Sequence, residues 1–264
     1  MSSTAFITFG SITLGAALLV GLERFRPYEP RQRFLRPGLG TDLFLYAIAQ
    51  SYVLSLVIAG IIAGISANVS WFDGGLVNSW PLWVQLAFFF VVHDFYIYWF
   101  HRLQHKSDTL WRLHEAHHSV KDVDWLSGAR SHALEILINQ TIEFAPMLLL
   151  GAAPEVIVAK GVLDALWGMY IHSNIDVRSG VLQYVINGPE MHRWHHAREI
   201  KAPGMNFGTK LAIWDWLFGT AFLPPEKPQA YGLPDIDYPK EGWAAYFLHH
   251  VHSFRRSTPP QLPP

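Results

Sequence analysis

The sequence predicts an all-α protein, a polytopic helical membrane bundle carrying a metal-binding helical cap on its cytoplasmic side. Three observations predict it. Half of the 264 residues are apolar and only 16% are charged, a low share for a soluble domain of this length. The apolar residues gather into runs long enough to cross a bilayer. The polar anomaly is histidine, 14 residues in all, most of them clustered between and after those runs.

Thr4 to Leu22 is a long apolar run with no basic segment before it and no convincing small-residue cleavage site after it. It reads as a retained membrane helix and not as a signal peptide. Glu23 to Gly40 carries Arg24, Arg26, Arg31, Arg33 and Arg36 among Pro27, Pro30 and Pro37, which suits an interfacial loop. A second span follows from about Leu43 to Ile65. Ser66 to Trp80 contains no Lys or Arg, so the positive-inside rule puts the first loop in the cytoplasm and the second outside. The third span, about Pro81 to Phe100, returns the chain to the cytoplasm.

Ala133 to Leu150 and Val156 to Ile171 are joined by the short turn Gly151 to Glu155, and read as a helical hairpin that enters and leaves on the cytoplasmic side. Glu135, Asn139 and Glu143 make its first arm too polar to face lipid, so that arm is expected to pack against protein. This layout puts the N-terminus outside, the histidine clusters and C-terminus in the cytoplasm, and every Lys and Arg except Lys160 on the cytoplasmic side. From Ser173 onward the chain is mixed, rich in Trp and Pro, and expected to be soluble or interfacial; the tail Ser257 to Pro264 is expected to be disordered. One domain, 1–264, accounts for the chain, with a histidine-motif core at about 90–216.

Composition narrows the chemistry. Net charge is −1 and no basic stripe is interleaved with aromatics, so a nucleic-acid partner is excluded. There is no Cys, which removes disulfides, iron–sulfur clusters, haem-thiolate ligation and thiol nucleophiles. Any metal must be held by His, Asp or Glu.

Three clusters supply such ligands: His101-Arg-Leu-Gln-His105, His114-Glu-Ala-His117-His118 and His192-Arg-Trp-His195-His196. Positions i, i+3 and i+4 share a helix face, so each H-x-x-H-H run is expected to aim three imidazoles at one point, and H-x-x-x-H two. His172 leaves the hairpin on the same side and is a ninth candidate. Nine imidazoles exceed what one ion can use, and two metals are implied. A lone His on an apolar face is ordinarily a hydrogen-bonded core residue; two H-x-x-H-H runs plus H-x-x-x-H on one membrane side are hard to obtain that way.

Other polar residues divide by context. His249, His250 and His252 lie near a basic, Pro-rich tail and read as a solvated surface cluster. His93 is nearly on the face of His101 and stays open as a ligand or a hydrogen-bonding helix residue. Asp94 lies two turns before His101 on the same face, within the expected hydrocarbon region, where carboxylates are rare without a role. Ligating histidines donate their second ring N–H to carboxylates or carbonyls, so Asp94 and Glu135 are candidates to hold them in place; a helix cap or an Arg pair is the alternative for each.

The residues Asp94-Phe-Tyr-Ile-Tyr-Trp-Phe-His101-Arg-Leu-Gln-His105, His114-x-x-His117-His118, Arg130-x-His132-x-x-Glu135, His172-Ser-Asn174 and His192-x-x-His195-His196 resemble the fatty acid hydroxylase / sterol desaturase superfamily of membrane di-iron enzymes. The resemblance covers roughly Phe90 to Trp216. It implies a helical membrane bundle with a cytoplasmic cap and O2-dependent hydroxylation or desaturation of a lipid, whether fatty acyl chain, sterol or ether lipid. It also implies two metals held by His101, His105, His114, His117, His118, His172, His192, His195 and His196, with Asp94, His132, Glu135 and Asn174 supporting them. The metals would be iron, with zinc able to fill the sites during expression, and O2 the co-substrate. The chain carries no cytochrome or ferredoxin-like segment, so electrons are expected from a separate ferredoxin or cytochrome b5 type donor with its reductase. Two positions depart from the pattern: Ala133 stands where many relatives have Pro, and Gly168 where some hydroxylases have a further His. His132 is the residue that would substitute for that missing ligand.

Two rival readings use the same residues. His114-Glu115-Ala116-His117-His118 satisfies H-E-x-x-H, the zinc-peptidase pattern in which Glu115 would be the general base. It leaves His101, His105, His192, His195 and His196 without a purpose. A non-enzymatic metal-binding or transport membrane protein is the other, but most of the histidines lie at or beyond the membrane edge and mark no ion path through the spans.

Overall fold

The computed structural model describes residues 3–68, 75–199, 204–233 and 238–255, and these form an all-helical structure whose only β pairing is three isolated bridges. Helix α1 is Ser3–Phe25, about 34 Å long at 1.5 Å per residue and thus longer than the roughly 30 Å hydrocarbon core. Phe6, Ile7, Phe9, Leu14 and Leu18 are exposed along it, the pattern of a span facing lipid. Helix α2, Thr41–Asn68, opens with π-helical turns over Thr41–Gln50 and continues as α-helix. Its Leu54, Ile58 and Ile62 recur every four residues and bury one stripe against Ala145, Ile136 and Phe144 of α5, Ala133–Leu149.

Helix α3, Leu82–Lys106, is the third apolar span and runs without a break past His101 and His105, which lifts both imidazoles on one rigid rod. Helix α4, Asp108–His118, follows after Ser107, whose hydroxyl caps it by accepting from the Leu110 N–H. The hairpin is confirmed as α5 and α6, Pro154–His172. Glu135 and Glu143 are buried in α5, in agreement with the expectation that this arm packs on protein. The hairpin turn sits against the segment before α3: Val77 N–H donates to Leu150 O at 3.0 Å and Ala153 N–H to Gln85 Oε1 at 2.8 Å. Gly75 and Gly151 meet there, both with positive φ, and a Cβ on either would stand under 3 Å from the other's Cα. Helix α1 packs along α6, and α6 along α3.

The cap is built from α4, the short helices α7 (Pro189–His195) and α8 (Ile213–Leu217), and α9 (Ala245–His252). Buried ion pairs tie it to the spans. Arg130 is 1% exposed and bonds Asp42 at 2.7 Å and Glu241 at 2.8 Å, while Arg36 bonds Asp124 at 2.7 Å and Asp42 at 2.8 Å. Arg36 thus lies buried within the segment expected to be an interfacial loop, because two carboxylates neutralise it there. The expectation for His249, His250 and His252 is also corrected. His249 is 1% exposed and hydrogen-bonds Tyr46 OH at 2.8 Å, and His250 Nε2 accepts from the Ala133 N–H at 3.1 Å, because α9 folds back onto α4 and the start of α2. The tail Ser257 to Pro264 lies outside the described residues.

Candidate metal centre

The eight histidines singled out by spacing, and His172 with them, are buried and assemble into two adjoining groups. His101, His105, His114, His118 and His195 form one, and His117, His172, His192 and His196 the other; within each, one ring nitrogen per residue lies within 4.8 Å of the rest. This corrects the expectation that each H-x-x-H-H run aims at one point. His114 and His118, a full helical turn apart, share the first group, while His117, rotated about 100° from His118, turns to the second. The α7 run divides the other way, with His192 and His196 in the second group and His195 in the first. Each run therefore bridges both groups.

Backbone carbonyls fix the ring orientations. His101 Nδ1–H donates to Phe207 O at 2.8 Å, His195 Nδ1–H to Met205 O at 2.8 Å, His117 Nδ1–H to Arg130 O at 3.2 Å and His172 Nδ1–H to Gly168 O at 2.7 Å. A carbonyl can only accept, so in each neutral ring the proton sits on Nδ1 and the lone pair on Nε2. Burial and the neighbouring imidazoles hold the His117, His118 and His196 pKa values well below the ordinary histidine range, and burial lowers that of His195 to about 3. These four rings are neutral at physiological pH, as is His172, whose pKa burial lowers to about 4. His172 Nε2 nevertheless faces His117 Nε2 at 3.2 Å, two lone pairs with no proton between them. The buried His105 ring has no hydrogen-bond partner at either nitrogen. Converging neutral imidazoles of this kind suit a divalent transition metal in each group.

The residues expected to support the ligands divide. Glu135 does so directly, accepting from His114 Nδ1 at 2.8 Å and from Gln104 Nε2 at 2.9 Å. Asp94 touches no histidine: its oxygens accept from Thr209 Oγ1, the Lys210 and Leu211 N–H groups and Trp214 Nε1, all within 3.0 Å. It fixes the loop whose Phe207 carbonyl orients His101, one step removed from the ligands. His132 caps α5 by accepting from the Leu134 N–H and packs on His250, away from both groups. Asn174 accepts from the Glu29 N–H at 2.9 Å and from Arg193, holding the loop after α6 and not a ring. Glu115 is buried with Oε2 4.0 Å from His252, on the α9 side of α4. It is therefore not positioned as the general base of an H-E-x-x-H peptidase.

Sequence reasoning missed three features. Gly128 lies so close to His172 that a Cβ would stand 2.6 Å from its Nδ1, which only a contact across the fold reveals. Phe207 and Met205 act through main-chain carbonyls and carry no side-chain signal. His93, Glu143 and Asp164 form a third polar group, with the Lys160 ammonium donating to His93 Nδ1 and Glu143 Oε1, each at 2.9 Å, and to Asp164. Lys160 occupies the place a metal would take. Its signal was present as charges inside apolar spans.

A cavity of about 220 Å³ lies between the histidine groups and the His93, Glu143 and Asp164 group. His101, His114, His117, His172 and His192 line one end, Ile97, Phe100, Ile136 and Ile171 its walls, and His93, Asn139, Glu143, Asp164 and Lys210 the other end.

The Fatty acid hydroxylase family model matches residues 86–220. The chain is 36% identical to the ornithine lipid hydroxylase OlsE of Rhizobium tropici over 236 residues, 85% of this chain and 70% of that protein. It is 32% identical to the alkylglycerol monooxygenase of Danio rerio over 68% of this chain and 39% of that protein. It is also 30% identical to the very-long-chain aldehyde decarbonylase GL1-8 of Oryza sativa subsp. indica over 55% of this chain and 57% of that protein. The chain thus spans well under two thirds of the latter two relatives. No solved structure matches it.

Proposed function

The chain belongs to the fatty acid hydroxylase family, and from that premise we propose that it is a membrane di-iron oxygenase that hydroxylates or desaturates a lipid with O2. One iron is held by His101, His105, His114, His118 and His195, the other by His117, His172, His192 and His196. The observation that carries this reading is the pair His117 and His172, whose Nε2 lone pairs converge to 3.2 Å with no proton between them, a repulsion that a shared metal cation would relieve.

Bound iron supplies the capacity to activate dioxygen, which no side chain in the cavity has. The chain's own residues do the rest. The carbonyls of Phe207, Met205, Arg130 and Gly168 and the Glu135 carboxylate lock the imidazoles before any metal arrives, so little reorganisation is needed on binding. Ile97, Phe100, Ile136 and Ile171 give the cavity apolar walls that take an alkyl segment and exclude water from the reacting carbon. The layout of charge supports histidine groups that open on the cytoplasmic side, where a separate ferredoxin or cytochrome b5 type donor and its reductase can reach them.

Lipid profiling tests the reading. A host expressing the chain under ¹⁸O₂ is compared with one expressing His195→Ala. A lipid that gains one labelled oxygen or loses two hydrogens only with the intact chain supports it; identical lipid profiles reject it.

A further inference from the structure

Lys160 determines the tautomer of His93. An ammonium has donors only, so Lys160 Nζ, 2.9 Å from His93 Nδ1, donates to that nitrogen and leaves the ring proton on Nε2. Glu143 Oε2 stands 3.8 Å from Nε2, beyond hydrogen-bond reach, Asp164 Oδ2 is 3.6 Å from Nδ1, and His93 Nε2 is a buried atom without a partner. Trp167 Nε1–H is a second buried donor without a partner. Both residues line the cavity.

The other polar groups at that end are held mainly by charge. Lys210 Nζ lies 3.2 Å from Asp164 Oδ1, Lys160 is saturated by its three acceptors, and Asn139 Oδ1 accepts from Tyr96 OH at 3.2 Å. Three other atoms of cavity-lining residues lack a hydrogen-bond partner: Glu135 Oε2 and His192 Nδ1 belong to the histidine end, and Asp164 Oδ1 is an acceptor already facing the Lys210 ammonium. The end away from the histidines therefore carries two unpartnered ring N–H donors, His93 Nε2–H and Trp167 Nε1–H, beside the Lys210–Asp164 ion pair, and buried donors left unpaired are costly.

We propose that His93 and Trp167 recognise an acceptor oxygen of the lipid, a carbonyl, ether or hydroxyl oxygen bound at the inner end of the cavity. This rests on the cavity being the substrate site of the oxygenase. His93 stands eight residues before His101 on α3 and Trp167 five before His172 on α6, so the bound oxygen lies roughly 8 to 12 Å along the helices from the histidines. Held there, it selects which carbon of the attached chain reaches the metals. The substrate is thus oxidised at a set distance from an oxygen function, and a plain alkane is a poor ligand.

Equilibrium binding of radiolabelled hexadecyl acetate and octadecane to the full-length protein in detergent tests this. The ester oxygen only accepts, which isolates the two donors. Wild type is expected to bind the ester at least about tenfold more tightly than the alkane, as two hydrogen bonds would give. Trp167→Phe, which removes the N–H and keeps the aromatic body, is expected to lose roughly threefold to tenfold on the ester and nothing on the alkane. His93→Phe is expected to behave likewise, and His93→Gln, whose amide can accept from Lys160 and still donate, to restore ester binding. Equal binding of ester and alkane by wild type, or unchanged ester affinity in both Trp167→Phe and His93→Phe, would overturn the proposal. Because no turnover is needed, a wild-type chain that oxidises no lipid yet shows the ester preference and its loss in the variants refutes the oxygenase reading while upholding the recognition pair.

Discussion

Gly128 and His172 pack so closely that the imidazole occupies the space a side chain at position 128 would need, with an added Cβ 2.6 Å from Nδ1 and 2.9 Å from Cε1. The ring has little room to give, since its Nδ1–H is bonded to Gly168 O at 2.7 Å on its own helix. Both contacts together aim Nε2 at His117, His192 and His196.

Gly128→Ala is therefore expected to displace His172 and weaken the second histidine group while sparing the first. Elemental analysis should show metal falling from about two per chain toward one, with activity lost. Retention of both metals and full activity would mean that the loop carrying Gly128 yields in place of the ring.

Asp94 organises the loop after α7 through four hydrogen bonds, and the carboxylate is fully buried. Asp94→Ala leaves two main-chain N–H groups, the Thr209 hydroxyl and the Trp214 indole N–H without their acceptor. A stability loss of at least about 3 kcal/mol is expected, seen as a lower melting temperature in detergent. The His101 ring should also lose its anchor at Phe207 O, lowering metal retention.

Glu115 separates stability from catalysis. Burial raises its carboxyl pKa from the ordinary 4.5 to about 7. The folded state therefore holds the proton more tightly than the unfolded chain, so stability is greatest below about pH 4.5 and is lost as pH rises to about 7. Glu115→Gln should flatten this part of the melting profile and melt higher than wild type at pH 8. Lipid oxidation should stay within about tenfold of wild type, roughly 1.4 kcal/mol in barrier. An inactive Glu115→Gln beside active His192→Ala and His195→Ala would instead favour peptidase chemistry.

All nine histidines that converge were legible in the sequence, eight because i, i+3 and i+4 spacing reports a shared helix face whatever the surroundings, and His172 because the hairpin ends on the same side as the clusters. Their division was not. Whether His117 joins His114 or turns to His172 depends on where α6 and α7 dock, and α7 is a helix of only seven residues bounded by Gly188 and His196. The spans were legible from hydropathy to within a few residues. The Lys160 group was not, since His93, Glu143, Lys160 and Asp164 come from three helices and meet only when α3, α5 and α6 pack. The buried state of His249 escaped for the same reason: a basic, proline-rich neighbourhood reads as surface until Tyr46 is placed beside it.

Topology has a direct check. The Arg-rich segment between α1 and α2 should fix the N-terminus outside and the cap in the cytoplasm. A reporter fused at Ser257 is expected to be active only as a cytoplasmic fusion, and one at Trp71 only as an external fusion. A Ser257 reporter on the outer side would reverse the layout.

The account rests on two metal sites in one chain, and metal stoichiometry tests that most directly. Full-length protein purified from iron-supplemented cells is analysed beside His105→Ala, which alters the first histidine group, and His192→Ala, which alters the second. Close to two metals per wild-type chain, with each variant retaining about one, is the expected result. A wild-type chain that holds a single metal, with zinc alone supporting activity, would contradict the two-metal oxygenase.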